Sequence, residues 1–333
     1  MKLFDNTLRD GGNVVGHGFD ADLTISILES LIDVGISDIE VGNCMGLSSY
    51  DILNCNQALT DRQYLEVIKP YLNKAKIGMF QLADIAREED IEMAASYGIN
   101  FLRVGANAGD GKGAIKAIKM VKKAGLVCRY AMMAVYLLSP EEVAKEAKML
   151  QEAGVDKISL MDTNGTLLPK DVYKYVTRVK ENVTISVGFH AHGNLGMAQA
   201  NALAALEAGA DEIDCGLLGL ARSAGNCSTE LALAAFQKLG YLKEIDLFKL
   251  LDYLDSKLIP AMKAYNYQPQ VDPTYLMIGL SGAHSFFLAN FQKVAKEEGV
   301  SLLRLIYQVS ALEKRSPSED LMRQVAREMR ESM

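Results

Sequence analysis

A helix that ends at glycine, followed by a short apolar strand, recurs along most of this chain, and that repeat fixes the fold class. Val34-Gly35-Ile36 precedes Ile39-Glu40-Val41, and Tyr97-Gly98-Ile99 precedes Phe101-Leu102-Arg103-Val104. The pattern returns at Ala124-Gly125-Leu126, Ala153-Gly154-Val155 and Ala208-Gly209-Ala210. Glycine suits the left-handed position that terminates a helix. The strands are apolar runs rather than strict alternations, as expected for a parallel sheet buried on both faces. Eight strands are predicted: Leu3–Thr7, Asp38–Val41, Lys76–Phe80, Phe101–Val104, Cys128–Met133, Lys157–Met161, Ile185–Phe189 and Glu212–Cys215. Eight β/α units in series match an α/β fold of the closed (β/α)8 (TIM) barrel type better than an open doubly wound sheet.

Helix signals agree with this phasing. Ser139-Pro140-Glu141-Glu142 is a capping box with proline in the first turn, placed just after the fifth strand. From about Ile245 the alternation stops, and helical periodicity takes over in Leu247–Tyr265, Ser285–Glu298 and Ser301–Leu312. A second capping box, Ser316-Pro317-Ser318-Glu319, opens the last helix. The expected organisation is a catalytic barrel over residues 1–244 and a helical C-terminal region over residues 245–333, packed on the barrel without a low-complexity linker.

Composition narrows the function classes. A net charge of −7 with no block of Lys or Arg argues against binding nucleic acid or an anionic membrane. The longest apolar run, Tyr130 to Leu138, is too short to span a bilayer, and polar residues from Asp5 onward give no secretory signal. Five cysteines show neither C-x-x-C spacing nor a disulfide framework, so a soluble, reducing, cytoplasmic setting is expected.

The strongest functional signal is Phe189-His190-Ala191-His192-Gly193, since the chain has only four histidines. Residues i and i+2 of a strand share a face with Cα atoms roughly 6.5–7 Å apart, so two imidazoles can converge on one metal ion. Asp10, in Thr7-Leu8-Arg9-Asp10-Gly11-Gly12, offers a third ligand from the end of another strand. Barrel chemistry sits at the C-terminal ends of strands. Arg9 and Asp10, Glu40 and Asn43, Asp162 to Asn164, His190 and His192, and the Ala224-Gly225-Asn226 turn all fall there. Arg9 and Asp10 are neighbours and would face opposite ways on a strand, so alternation must break; Gly11-Gly12 permits such a turn. Histidines hydrogen-bonded to backbone, and an Arg9 that merely pairs with Asp10 or Glu40, are the plainer alternatives. The 15 methionines follow core spacing, and Cys215 and Cys227 read as buried small hydrophobes.

Together, Thr7-Leu8-Arg9-Asp10-Gly11, His190-Ala191-His192 and Ala224-Gly225-Asn226 resemble the DRE-TIM metallolyase superfamily, with the closest likeness to 4-hydroxy-2-oxovalerate aldolases (class II pyruvate aldolases). The likeness runs nearly end to end, through Ile39-Glu40-Val41-Gly42, Met161-Asp162-Thr163-Asn164-Gly165 and Gly282-Ala283-His284-Ser285. It implies a divalent cation (Mn, Mg, Zn or Co) on Asp10, His190 and His192, with Asn226 an optional further ligand. It also implies that Arg9 stabilises an enolate and that Asp162 and Thr163 line the substrate's carboxylate end. The implied reaction cleaves or forms a 4-hydroxy-2-oxo acid through a pyruvate-type enolate, with a 2-oxo acid and an aldehyde as small-molecule partners. In the family the C-terminal region docks an aldehyde dehydrogenase; a homodimer is an equal expectation.

Three positions depart from the family pattern. Asn13 stands where the aldolases place an acid/base histidine, His284 where they have an active-site tyrosine, and Asn43 where a histidine is usual. Asn13 remains a candidate substrate contact but cannot exchange a proton near neutral pH. With His190 and His192 committed to metal, His284 is the expected proton relay and His17 the runner-up. Two other functions stay open: a Claisen-type acyl-CoA condensing enzyme or lyase of the same superfamily, and a non-catalytic binding barrel. Gly219-Leu220-Ala221-Arg222-Ser223 lacks the lyase branch's catalytic cysteine, and Gly12-Asn13 differs from the condensing branch's Glu-Gln.

Overall fold

A computed structural model describes residues 1–54, 58–268, 273–283, 285–314 and 316–331. Eight parallel strands close into a barrel in sequence order: β1 Lys2–Asp5, β2 Asp38–Glu40, β3 Lys76–Leu82, β4 Phe101–Asn107, β5 Val127–Met133, β6 Lys157–Asp162, β7 Ser186–Ala191 and β8 Glu212–Cys215. β1 closes the ring by pairing with β8, Leu3 opposite Ile213 and Asp5 opposite Cys215. Helices cover the outside. The helix Ala21–Val34 shows why: Ile27, Leu28, Leu31 and Val34 form one buried stripe, Asp20 caps its start, and Gly35 ends it at φ +99°. The box at Ser139 forms as expected, with the hydroxyl accepting from Glu142 N–H.

The barrel interior is largely ionic. Successive inward positions are two apart along each strand, which turns Asp38 and Glu40, Phe101 and Arg103, and Glu212 and Asp214 inward as layers. At the bottom, Arg129 binds Asp38 and Glu212, with Lys157 3.3 Å from Glu212. Above them, Arg103 is fully buried and bridges Glu40 to Asp214. The Phe4 ring separates the layers, with both guanidinium carbons 4.5 Å from its centroid.

Three differences from the sequence-based expectation have a local physical cause. β1 stops at Asp5, and Thr7–Asp10 forms a helical turn rather than strand. The Asp5 carboxylate accepts the Thr7 N–H at 2.9 Å and starts that turn. Helical rotation, not Gly11-Gly12, therefore lets Arg9 and Asp10 reach one site. The last helix, Glu319–Glu331, is capped by Ser318, whose hydroxyl accepts Leu321 N–H, rather than by Ser316. The helical run from Leu247 is interrupted by a π-turn at Leu254–Leu258. Pro260 lacks an N–H and crowds the carbonyl four residues back, which widens the preceding turn.

The C-terminal helices share the barrel's hydrophobic core, with Leu250, Leu254, Phe291, Ile306 and Met322 in one buried cluster with the barrel residues. Asp246 N–H donates to the Val34 carbonyl, and the Tyr267 hydroxyl donates at 2.8 Å to Leu218, in the loop after β8. Among the described residues, no helix is long and apolar enough to cross a membrane.

That β8 loop has a pH-sensitive anchor. Glu230 is buried and accepts the Leu218 N–H at 3.1 Å, where Leu218 holds φ +57°. Burial pushes its carboxyl from 4.5 up to about 7. The folded state thus keeps a proton that the unfolded chain releases, so this contribution is complete below pH 4.5 and is lost as pH rises through 7. Glu230→Gln keeps the acceptor and removes the titration. Chemical denaturation should show it more stable than the parent by about 1–3 kcal/mol above pH 8 and equal to it near pH 4. A difference independent of pH would refute this reading.

Candidate active site at the mouth of the barrel

Asp10, His190 and His192 come together at the C-terminal end of the barrel, all buried, with one ligand-type atom from each within 4.8 Å of the others. His190 is the penultimate residue of β7; His192, just past the strand, is held by a bridge to Asn226. The Nε2 atoms lie 3.6 Å (His190) and 4.0 Å (His192) from Asp10 Oδ2. On the far side of the His190 ring, Nδ1 lies 3.3 Å from Asp214 Oδ2 and 3.1 Å from Asn6 Nδ2. A proton on Nδ1 facing Asp214 leaves the Nε2 lone pair aimed at Asp10, the arrangement a metal-binding histidine requires. Burial, followed by the neighbouring His190, pushes His192 down to about 3, so its imidazole is neutral at physiological pH. Burial alone would raise Asp10, but Arg9, the two histidines and a 2.8 Å hydrogen bond from Asn226 Nδ2 outweigh it and hold the carboxylate ionised. A carboxylate and two imidazoles are a donor set that divalent first-row metals take.

Arg9 stands beside this group. Its Nε donates to Glu40 at 2.6 Å and one terminal nitrogen to Asp10 at 3.0 Å, while its guanidinium lies 4.9 Å from the centre of the Phe80 ring. Phe80 can lie there because Gly105 has no Cβ: one would sit 2.7 Å from the ring's Cε2. Burial works against the Glu40 charge, but Arg103 and then Arg9 outweigh it and hold the carboxyl below its ordinary range. A buried chain of polar contacts therefore runs from Arg9 through Glu40, Arg103 and Asp214 to His190, tying the guanidinium to the imidazole across the barrel.

These groups open into a cavity of about 60 Å³ that is also lined by Asn13, Cys44, Met45, Phe80, Thr163 and Arg222. Asn13 reaches it while donating to the Asp10 carbonyl at 2.9 Å. Thr163 reaches it while its hydroxyl accepts the Ala134 N–H at 2.8 Å. Gly165, at φ +59°, closes that turn against the His192 carbonyl, which would lie 2.6 Å from a Cβ there. A larger cavity, of about 630 Å³, adjoins through the shared walls Leu82 and Met133.

Other expected residues sit elsewhere. Asp162 does not line the cavity; its carboxylate accepts the N–H groups of Thr166 and Leu167 and shapes its own loop. His17 lies behind the wall, its Nδ1 3.3 Å from Cys44 Sγ. His284 lies outside the described residues. Arg222 and Cys44 were not singled out from sequence, because neither stands in a motif that marks it. Only their position at a strand end could have done so.

Comparison with known proteins finds relatives along nearly the whole chain. The HMGL-like family model matches residues 1–256. The 4-hydroxy-2-oxovalerate aldolase of Carboxydothermus hydrogenoformans is 33% identical over 332 residues, 99% of this chain and 97% of that one. The enzyme of the same name from Moorella thermoacetica is 36% identical over 298 residues, 89% of this chain and 87% of that one. The solved structure of the Bacillus subtilis HMG-CoA lyase superposes with a TM-score of 0.67 at 21% identity, covering 81% of this chain and 95% of that one.

Proposed function

Because this chain belongs to the HMGL-like family, we propose that it is a divalent-metal-dependent aldolase that cleaves or forms a 4-hydroxy-2-oxo acid through the enolate of pyruvate. The supporting observation is the convergence of Asp10, His190, His192 and Arg9 on one small cavity. Asp10, His190 and His192 would hold the cation, with Mn, Mg, Zn and Co all compatible. A cation there supplies Lewis acidity toward the 2-oxo acid.

The protein's own groups do the rest. Arg9, fixed by Glu40 and Phe80, presents positive charge where the enolate oxygen develops, and needs no reorganisation to do so. Thr163 and Asn13 offer hydrogen bonds at the cavity wall. Asn226 orients Asp10 through its amide. Asp162 supports the Thr163 turn from beneath. The proton of the C4 hydroxyl needs an acceptor, for which His284 and His17 are the histidines outside the metal set.

Residues 1–244 form the catalytic unit in this reading. Residues 245–333 form the helical region through which a second copy or an aldehyde dehydrogenase would dock, in a cytoplasmic setting. The acyl-CoA reading has no comparable support, since the loop Gly219 to Ser223 carries no cysteine.

The test is pyruvate release from a panel of 4-hydroxy-2-oxo acids by protein loaded in turn with each of the four metals. At least one acid should be cleaved with an absolute requirement for metal, and chelation should abolish turnover. Cleavage that persists after exhaustive chelation, or no pyruvate from any member, would overturn the assignment.

A further inference from the structure

We propose that Cys44 and His17 form a proton relay, in which the Cys44 thiol takes the hydroxyl proton of a substrate in the cavity and passes its own to the His17 imidazole. This rests on the aldolase reading and supplies the proton acceptor that Asn13 cannot be. Among the described groups lining the cavity, the guanidinium groups of Arg9 and Arg222 offer donors and no acceptor, and Asp10, His190 and His192 form the metal set. Thr163 carries only an alcohol. Cys44 alone joins an ionisable proton to a partner behind the wall.

The pair is built rather than incidental. Cys44 is buried, and its Sγ lies 3.3 Å from His17 Nδ1. The same two residues are clamped through the backbone, where Cys44 N–H donates to the His17 carbonyl at 2.9 Å. His17 N–H in turn donates to Gly12 at 2.7 Å. His17 holds φ +81°, a conformation uncommon for a residue with a side chain. The imidazole is half-buried, so a proton arriving on it has a route to solvent.

The step balances. The substrate's C4 hydroxyl gives its proton to Sγ as the thiol proton moves to Nδ1. The C4 oxygen lone pair becomes the new carbonyl, the C3–C4 bond breaks, and its electron pair leaves on C3 as the pyruvate enolate. The imidazolium returns its proton to water, and C3 takes one from water. In this sequence Cys44 touches substrate, whereas His17 acts through Cys44.

Two reactions separate the relay from a structural role. Aldol cleavage needs hydroxyl deprotonation. Decarboxylation of oxaloacetate reaches the same enolate with no hydroxyl proton to remove. Cys44→Ala and His17→Asn should each lower kcat for cleavage by about 10²–10⁴-fold, with the decarboxylation rate and metal content changed no more than a few-fold. Asparagine tolerates the left-handed conformation, so the His17 variant keeps its loop even if the Cys44 variant folds poorly.

Cleavage at the parent rate in either variant overturns the relay. So does an equal fall in both reactions, which would mean that the pair only shapes the cavity. Loss of cleavage in His284→Ala, with Cys44→Ala unaffected, assigns the proton to His284 instead. A parent protein that decarboxylates oxaloacetate but cleaves no 4-hydroxy-2-oxo acid sinks the aldolase reading, and the relay with it. Failure confined to the variants sinks the relay alone.

Discussion

Exchange of His192 for alanine is expected to strip the protein of its divalent cation and to lower aldol cleavage by at least about 10³-fold, because Lewis-acid stabilisation is worth several kcal/mol. Two of three converging ligands would remain, too few to hold a first-row metal against dialysis. The fold should survive. The His192 ring lies past the end of β7, and its Nδ1 has no hydrogen-bond partner among the described residues. Truncation therefore strands no buried donor or acceptor. The ring is also already neutral, so no buried ion pair is broken. Elemental analysis after dialysis, set beside thermal denaturation, reads metal and fold separately. A His192→Ala protein that retained stoichiometric metal would remove this residue from the ligand set, whatever its activity.

Replacement of Arg103 by methionine is expected to cost about 3–5 kcal/mol of stability, the range for removing one partner from a buried ion cluster. Arg103 donates to both oxygens of Glu40, at 2.7 and 2.6 Å, and to Asp214. Without it, among the described residues Glu40 keeps Arg9 as its one cationic partner, and Asp214 keeps His190 and a 3.4 Å hydrogen bond from the Ser159 hydroxyl. Both carboxyls are now held below their ordinary range against burial, with Arg103 the leading attraction on each. In the variant they should take up protons more readily than before. The deficit should then be largest near neutral pH and shrink in acid, where protonation relieves the stranded charges. Urea titrations across pH 4–8 would show this. A loss below about 1 kcal/mol, or one that is flat with pH, would mean that the bridge contributes little. Arg103→Lys should recover only part of the loss, because a point charge cannot span Glu40 and Asp214 as a guanidinium fork does.

What the sequence made legible follows from the range of the interactions involved. The repeat of glycine-terminated helices and apolar strands is local, and it yields eight strands in the right places. His190 and His192 could be paired because strand geometry alone puts them on one face. Arg9 and Asp10 were reached by a wrong local route: the Asp5 side chain, two residues from Thr7, ends β1 earlier than the apolar pattern suggests. The charges inside β2, β4, β5 and β8 belong to no local motif. Only closure of the barrel, bringing Glu40, Arg103 and Asp214 together from widely spaced positions, shows that they neutralise one another. His17 and Cys44 are 27 residues apart and carry no shared motif, so their contact needed coordinates. Asp162 lies in a motif that resembles a substrate-binding turn, yet its carboxylate serves the turn itself.

The seat of the Phe80 ring has a consequence for how this barrel can drift in sequence. Gly105 leaves the hollow that the ring fills, and the ring in turn forms the floor beneath Arg9. Gly46 crowds the same residue from the other side, where a Cβ would lie 2.9 Å from Cδ1 of the ring. A side chain at 105 expels the ring, and a smaller one at 80 leaves a hole under the guanidinium. Neither change is tolerable alone. Positions 80 and 105 are thus bound to alter together, while Gly46, at φ +96° and with a would-be Cβ 2.7 Å from the Phe80 carbonyl, is held whatever side chain stands at 80, so β3, β4 and the loop after β2 hand down one shared shape even as the outer loops diversify.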